Sequence, residues 1–452
     1  MPIPCFRSEP PRHTSLFIRF ELMKVSQFIK NQINQVRQGG AAVLIAKVGK
    51  FSGIFLELPF YIFAVPAVLV IRAIKPWLLV RIGFLRSRRI GHFAANTELY
   101  LCERDAGINT PAQRHVDIFY MAAKPICNRQ LATMWRKALR LWPAWMLAPI
   151  YKVNRLIPGG KPHEIGDPTQ HDRDVHNLLD RFPPHLRFTP EEEARGEAGL
   201  RAMGIPIGAP FVCLAVRDSA YLADLFRNSD LSYHNYRDSD IQNYVLAAET
   251  LADRGYFVLR MGAKVNAAMN SVHPRVIDYA SNGMRTDFMD IYLGAKCAFC
   301  ISVGTGFDAI PLIFRRSIAY VNMVPAAYLF TFREQFLGIF KHHFDAQGKR
   351  ELSFSEIFSR GIGLFMRTSD YDTSGVKLVE NTPEEIRDVA VEMAERLAGT
   401  WQPHAADQAL QRRFWDIFPN KAVDAHHGKP LHGEIRSRFG AVFLRNNQGL
   451  LQ

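Results

Sequence analysis

The sequence predicts an α/β protein built from two doubly wound units in tandem. Three observations predict it. Phe211–Val216 (FVCLAV) is an uninterrupted apolar run, the pattern of a parallel strand buried on both faces. From there strands and helices alternate as far as Asn322, which requires a parallel sheet flanked by helices. A shorter strand and helix series opens at Trp77–Leu85 (WLLVRIGFL), and the linker Ile205–Pro210 (IPIGAP) separates the two.

The chain has 452 residues and 48% hydrophobic content, enough for two ordinary cores. Its formal charge of +13 points to an anionic partner: a phosphorylated substrate, acidic lipid or nucleic acid. No DNA- or RNA-reading motif and no long Lys/Arg run is present, so no nucleic-acid partner is expected. The six cysteines are scattered, as in a reducing compartment. Cys297 and Cys300 form one C-x-x-C, but without a second pair or spaced histidines they read as core residues in a strand.

The first forty residues are polar and basic, with an amphipathic helix expected over Leu16–Gln38 and no signal-peptide pattern. Phe51–Ile71 is apolar apart from Glu57, and Arg72, Lys75, Arg81, Arg86, Arg88 and Arg89 follow with no acid before Glu98. An apolar segment of this length with a basic flank reads as membrane attachment with the basic side cytoplasmic: a monotopic or re-entrant anchor, favoured over a full span because Glu57, Pro59 and Pro66 interrupt it. Buried packing in the first unit is the alternative.

After the strand at Trp77–Leu85, Arg88, Arg89, Gly91, His92 and Asn96 are expected in a loop leading to a short helix around Thr97–Arg104. A turn after the first strand of an open sheet is where ligands are met. His92 is therefore a candidate general base, with Glu98 and Glu103 as alternatives on the helix. His115–Ala122 is a second strand and Asn128–Leu141 a helix. The Pro/Gly/His-rich tract Ile157–Arg187 is a connection. Thr189-Pro190-Glu191-Glu192 starts a helix by its capping box, and Gly204 stops it.

The second unit places Arg217 at the end of its first strand, suited to a phosphate. Tyr236 and Arg237, in the polar segment Ser229–Asp240, face the same cleft. Asp238-Ser239-Asp240 spells D-x-D, a pair that in some sugar transferases holds a divalent metal; here it reads as a helix start, Asp238 or Ser239 capping Ile241–Arg254 and Asp240 in the first turn. Strand Tyr256–Met261 ends at Gly262. Val276–Tyr279 follows, with Asp278 in reach of a ribose.

The stretch Cys297–Asn322 (CAFCISVGTGFDAIPLIFRRSIAYVN) organises the unit. Ser302, Gly304, Thr305 and Gly306 sit where a strand hands over to a helix. Small residues there let backbone N–H groups approach an anion. The same residues spell G-x-G-x-x-A, a variant dinucleotide fingerprint, but Asn322 stands where that fingerprint needs an acid. A turn without ligand is the third reading. Residues 323–370, with Lys341-His342-His343, are expected as a surface excursion. Thr382-Pro383-Glu384-Glu385 starts a last helix, and the histidine-rich tail from Ala422 is expected to be exposed.

Together these residues resemble a family of bacterial proteins regarded as glycosyltransferases and found with surface-carbohydrate genes. The matching pieces are Arg89–Asp105, Val212–Leu222, His234–Tyr244, Ser302–Pro311 and Leu378–Ile386. The chain is also distantly similar to fucosyltransferases and heptosyltransferases, although Ala215-Val216 before Arg217 breaks the fucosyltransferase pattern. The resemblance implies two Rossmann-like domains facing a cleft (GT-B type): an acceptor domain over 77–204 and a nucleotide-sugar domain over 205–400. Residues 1–76 form a basic, hydrophobic membrane-associating region, and 401–452 a tail. It implies metal-independent transfer of a sugar from a nucleotide sugar to a glycan or lipid-linked acceptor, with no cofactor, at the cytoplasmic face of the membrane. Arg217, Arg237, Gly262, Asp278, Ser302, Gly304, Thr305 and Gly306 are the expected donor contacts. A non-catalytic nucleotide-binding assembly protein and an NAD-dependent oxidoreductase are the alternatives.

Overall fold

A computed structural model describes residues 59–122, 125–166, 173–220, 232–347, 349–424 and 428–452. The expected helix at Leu16–Gln38, the beginning of the apolar run, and His426 and His427 lie outside the described residues.

The fold is mixed α/β. Among the described residues the larger sheet has seven strands, all parallel, in the order β12-β8-β7-β6-β3-β4-β5. These are β3 (Phe211–Ala215), β4 (Phe257–Arg260), β5 (Val276–Ile277), β6 (Phe299–Ser302), β7 (Ser317–Met323), β8 (Phe336–Phe340) and β12 (Arg438–Phe439). Every residue of β3, β6, β7 and β8 is buried, as their apolar runs require. Cys213, Cys297 and Cys300 are fully buried free thiols in this core.

The first part is smaller than a complete doubly wound unit. Its sheet is a parallel pair, β1 (Leu79–Leu85) and β2 (His115–Met121). Between β2 and β3 the described residues form helices and irregular segments, with single parallel bridges of Leu141 to Phe119 and of Glu164 to Ile82. Around the pair lie a helix over 59–73 (α1), α2 (Ile90–Asp105), α3 (Arg129–Ala138), α4 (Ala144–Leu156) and α5 (Pro190–Ala202). Thr189 makes both bonds of its capping box with Glu192. One hydrophobic core runs continuously from Leu85 and Phe93 through β3–β8 to Leu451. No helix among the described residues is long and apolar enough to cross a membrane.

Three expectations for the later chain change. Residues 323–370 contain β8, whose FLGIF run packs Phe336 and Phe340 into the aromatic core, so this stretch is no surface excursion. Lys341 and His343 are buried, and β9 (His342–Asp345) pairs with β10 (Arg350–Glu351) and β11 (Val376–Val379). The tail supplies β12 to the large sheet and buries His432 against Phe418, so it is not merely surface.

Candidate functional site

The order of the large sheet fixes where a ligand would meet it. From β3 the chain goes to β4 and β5 on one side, then crosses back to β6 on the other. Helices that cover opposite faces diverge at such a switch point and leave a crevice at the strands' carboxyl ends. Ala215 pairs with Ser302, so Arg217 and Gly304 emerge at the same level of adjacent strands.

Arg217 is mostly buried, its side chain 14% exposed, and its Nε donates to Asp238 Oδ1 at 3.0 Å. Burial and the neighbouring Arg237 both lower its pKa, which marks two guanidinium groups held close together in a poorly solvated place. Arg237 donates to the Gly304 carbonyl, and its Nε is buried without a protein partner. His234 shares this environment. Burial, then the charges of Arg217, Arg237 and Arg89, pushes its pKa down to about 4, so it is neutral at physiological pH. Its Nδ1 is also buried without a protein partner. Buried polar atoms are normally satisfied, so two orphans in one cationic crevice point to a ligand's polar atoms, an acceptor for the Arg237 Nε–H among them.

The glycine turn contributes differently from the sequence expectation. The N–H groups of Gly304 and Thr305 donate to Ser302 Oγ at 3.1 and 3.3 Å, so they turn inward. Ser302 in turn donates to Asp308 Oδ2 at 2.8 Å. These amides are engaged internally, and the turn instead offers shape. Gly304 sits at φ +74°, where other residues are strained, and the turn lets α2 come close. A Cβ on Gly91 would stand 3.1 Å from the Gly306 Cα.

That contact brings the first part of the chain to the crevice. Gly91 and His92 lie in the first turn of α2, not in a loop, and Arg89 immediately precedes the helix. Gly91 is tolerated there because the close approach to Gly306 leaves no room for a side chain. His92 Nδ1 is 3.3 Å from Asn96 Oδ1.

The remaining expected residues do not join. Glu98 is fully buried away from the crevice, its Oε1 2.6 Å from Arg315 Nη2 and 3.0 Å from His185 Nδ1. A carboxylate so enclosed is a structural tie and cannot reach an acceptor hydroxyl. Cys102 lies near this pair, and Glu98, Cys102 and His185 are close enough to share a cation. The Arg315 guanidinium already fills that role, 3.5 Å from the Cys102 sulfur. Arg315 is thus a core tie, although with Arg316 it forms a basic pair of the kind that could bind phosphate. Asp278 holds Arg260 at 3.2 Å and the Met269 N–H at 2.9 Å, which ties down the loop after Gly262 instead of presenting a carboxylate to a ribose. Gly262 is required there because a Cβ would lie 2.7 Å from Val265 Cγ1. Within D-x-D, Asp240 is the cap, accepting from the Gln242 N–H at 2.9 Å, while Asp238 is Arg217's partner. Asn322, in the fingerprint's acidic position, is buried and bonded to Asn381 and Tyr244.

Sequence reading missed His234 and Lys341. Lys341 Nζ donates to the Asp238 carbonyl at 2.6 Å, steadying the segment that carries Arg237. The signal for His234 was available: it sits three residues before Arg237 in a polar, aromatic segment.

No family model matches the chain, and no curated protein matches it. Among solved structures it is similar to a family 9 glycosyl transferase from Veillonella parvula, at 10% identity over 71% of this chain and 97% of that one, with a TM-score of 0.39. It is similar to the ADP-heptose lipopolysaccharide heptosyltransferase II of E. coli, at 12% identity over 54% and 86%, with a TM-score of 0.32. A Listeria monocytogenes structure described as a UDP-N-acetylglucosamine 2-epimerase aligns at 7% identity over 72% and 98%, with a TM-score of 0.24.

Proposed function

We propose that the protein is a glycosyltransferase that binds a nucleotide sugar at the β3/β6 crevice and passes the sugar to a glycan or lipid-linked acceptor. The observation that carries this reading is the convergence of Arg217 and Arg237 at the sheet's switch point, both held by protein groups before any ligand arrives. In glycosyl transfer the leaving diphosphate gains negative charge as the bond to the sugar breaks. Fixed cations in a poorly solvated crevice stabilise that charge without reorganising, the condition under which electrostatics lowers a barrier most. The Gly304–Gly306 turn shapes the floor, and the start of α2 brings His92 to the opposite wall as base for the acceptor hydroxyl.

The reading is metal-independent. It is supported by the engagement of both D-x-D carboxylates, Asp238 by Arg217 and Asp240 by its helix. It is tested by supplying a panel of nucleotide sugars with EDTA and a lipid-linked acceptor and following release of the nucleoside diphosphate. Release with one donor, lost in Arg217→Ala, is the expected result.

A second reading, nucleotide binding without transfer, is favoured by one observation: Glu98, the alternative base, is locked in the core. It predicts no turnover in the parent chain and, in His92→Ala, at most a loss of nucleotide affinity.

A further inference from the structure

Between residues 59 and 71, α1 carries no charged side chain. Its inner side packs Ala64 and Val68 on Val153 of α4. The two helices are clamped together. Lys152 Nζ donates to the Tyr61 hydroxyl at 2.9 Å, the Phe60 and Trp145 rings lie 5.3 Å apart, and Arg72 donates to the carbonyls of Asn154, Ile157 and Pro158. Helical spacing then turns Ile62, Phe63, Leu69 and Val70 outward, where Phe63 is 73% exposed. On α4, Trp145 is 60% and Leu156 80% exposed. A helix apolar on all sides belongs in a core or in lipid, and one exposed apolar patch spread over two helices marks an interaction surface.

The rim chemistry selects the occupant. The two segments carry Lys75, Lys152 and Arg155, and neither 59–77 nor 144–156 contains an acid; Glu164, 3.7 Å from Arg155, is the carboxylate paired with one of these cations. Exposed indoles prefer the headgroup level of a bilayer, and basic residues beside them attract anionic lipid. A second copy would set cation against cation. We propose that the joint outer face of α1 and α4 docks on an anionic membrane, α1 lying in the interfacial plane with Trp145 and Leu156 beside it. This goes beyond the apolar run visible in the sequence, because it gives Trp145 and Leu156, from beyond β2, a share of the surface. It holds whether or not the protein transfers a sugar.

The test is flotation of the full chain with vesicles of phosphatidylcholine alone or mixed with phosphatidylglycerol. The chain is expected to float with the mixed vesicles. The double variant Trp145→Glu, Leu156→Glu should weaken that binding at least about tenfold, since each residue withdraws its apolar area from lipid. Because Trp145 also touches Phe60, the single variant Leu156→Glu, at a residue 80% exposed, is the control: its circular dichroism and melting should match the parent while its binding falls. Lys75→Gln with Arg155→Gln, which spares the Lys152–Tyr61 bond, should weaken binding to the mixed vesicles severalfold. Quenching of tryptophan emission by brominated lipid should fall in Trp145→Phe. The proposal is overturned if the parent chain does not float. It is also overturned if the Trp145, Leu156 variant floats like the parent, which would assign binding to other residues. A concentration-dependent dimer in the absence of lipid, dissolved by the same substitutions, would overturn it as well and assign the face to a second copy.

Discussion

Arg217 Nε stands 3.0 Å from Asp238 Oδ1, and the next residue back, Arg237, donates to the Gly304 carbonyl. One short segment therefore fixes the cationic end of β3 and the turn after β6 together. The account predicts that Arg217→Ala lowers nucleoside diphosphate affinity about tenfold to a hundredfold, the loss of a charge-assisted bond of roughly 1.5–3 kcal/mol. Arg217→Lys should recover only part, because an ammonium lacks the planar fork. Titration calorimetry on both variants checks this.

His92 is predicted to act in turnover and not in donor binding. His92→Ala should lower kcat by about a hundredfold or more while the nucleoside diphosphate still binds as in the parent. Steady-state kinetics beside calorimetry separate the two quantities.

Glu98→Gln is predicted to harm the fold and spare the chemistry. Removing the charge leaves Arg315 and His185 enclosed without their partner, which costs about 3–5 kcal/mol in comparable buried pairs. Burial disfavours the charged form of His185, yet its bonds to Glu98 and Asp105 outweigh this and raise its pKa, so the variant should also lose part of that rise. Urea denaturation should show the loss, and kcat per folded molecule should be unchanged.

His342 is predicted to make stability fall with rising pH. Burial disfavours its charge, but the carboxylates of Glu351 and Glu385 outweigh that and raise its pKa from 6.5 to about 9. The raised value means the ion pairs stabilise the fold fully below the unfolded pKa of 6.5, and this is lost as pH climbs through about 9. The shift corresponds to about 3 kcal/mol. His342→Gln should flatten the decline in melting temperature across that window relative to the parent.

The Gly91–Gly306 contact is predicted to join the two parts of the site. Gly91→Val must push α2 off the turn, and overpacking of this kind costs about 1–3 kcal/mol. Melting temperature and kcat should fall together, because the same displacement moves His92.

The residues differ in how readily their roles could be read from sequence. The runs FVCLAV and SIAYV and the two T-P-E-E starts determine their structure locally, and β3, β7 and both capping boxes form where those patterns place them. The place of Arg217 after an apolar strand was legible, but its bond to Asp238, 21 positions on, is recorded in no local pattern. The inward turn of the Gly304 and Thr305 amides was not, since it depends on Ser302 being held by Asp308 across the turn. Glu98 shows the same limit. Its burial follows from Arg315, 217 positions away, and no local pattern records such a partner. FLGIF was read as surface because its neighbours are polar, yet its phenylalanines complete a core assembled from β7, β12 and the tail.

The central claim is that Arg217 and Arg237 form a metal-free diphosphate site. The direct measurement is calorimetric titration of UDP, GDP, ADP, CMP and NAD⁺ into the full chain in EDTA, repeated with Arg217→Ala and Arg237→Ala. The account predicts that one nucleoside diphosphate binds without metal and that each substitution weakens it at least about tenfold. Binding of NAD⁺ alone, or nucleotide binding that both variants keep intact, would contradict it.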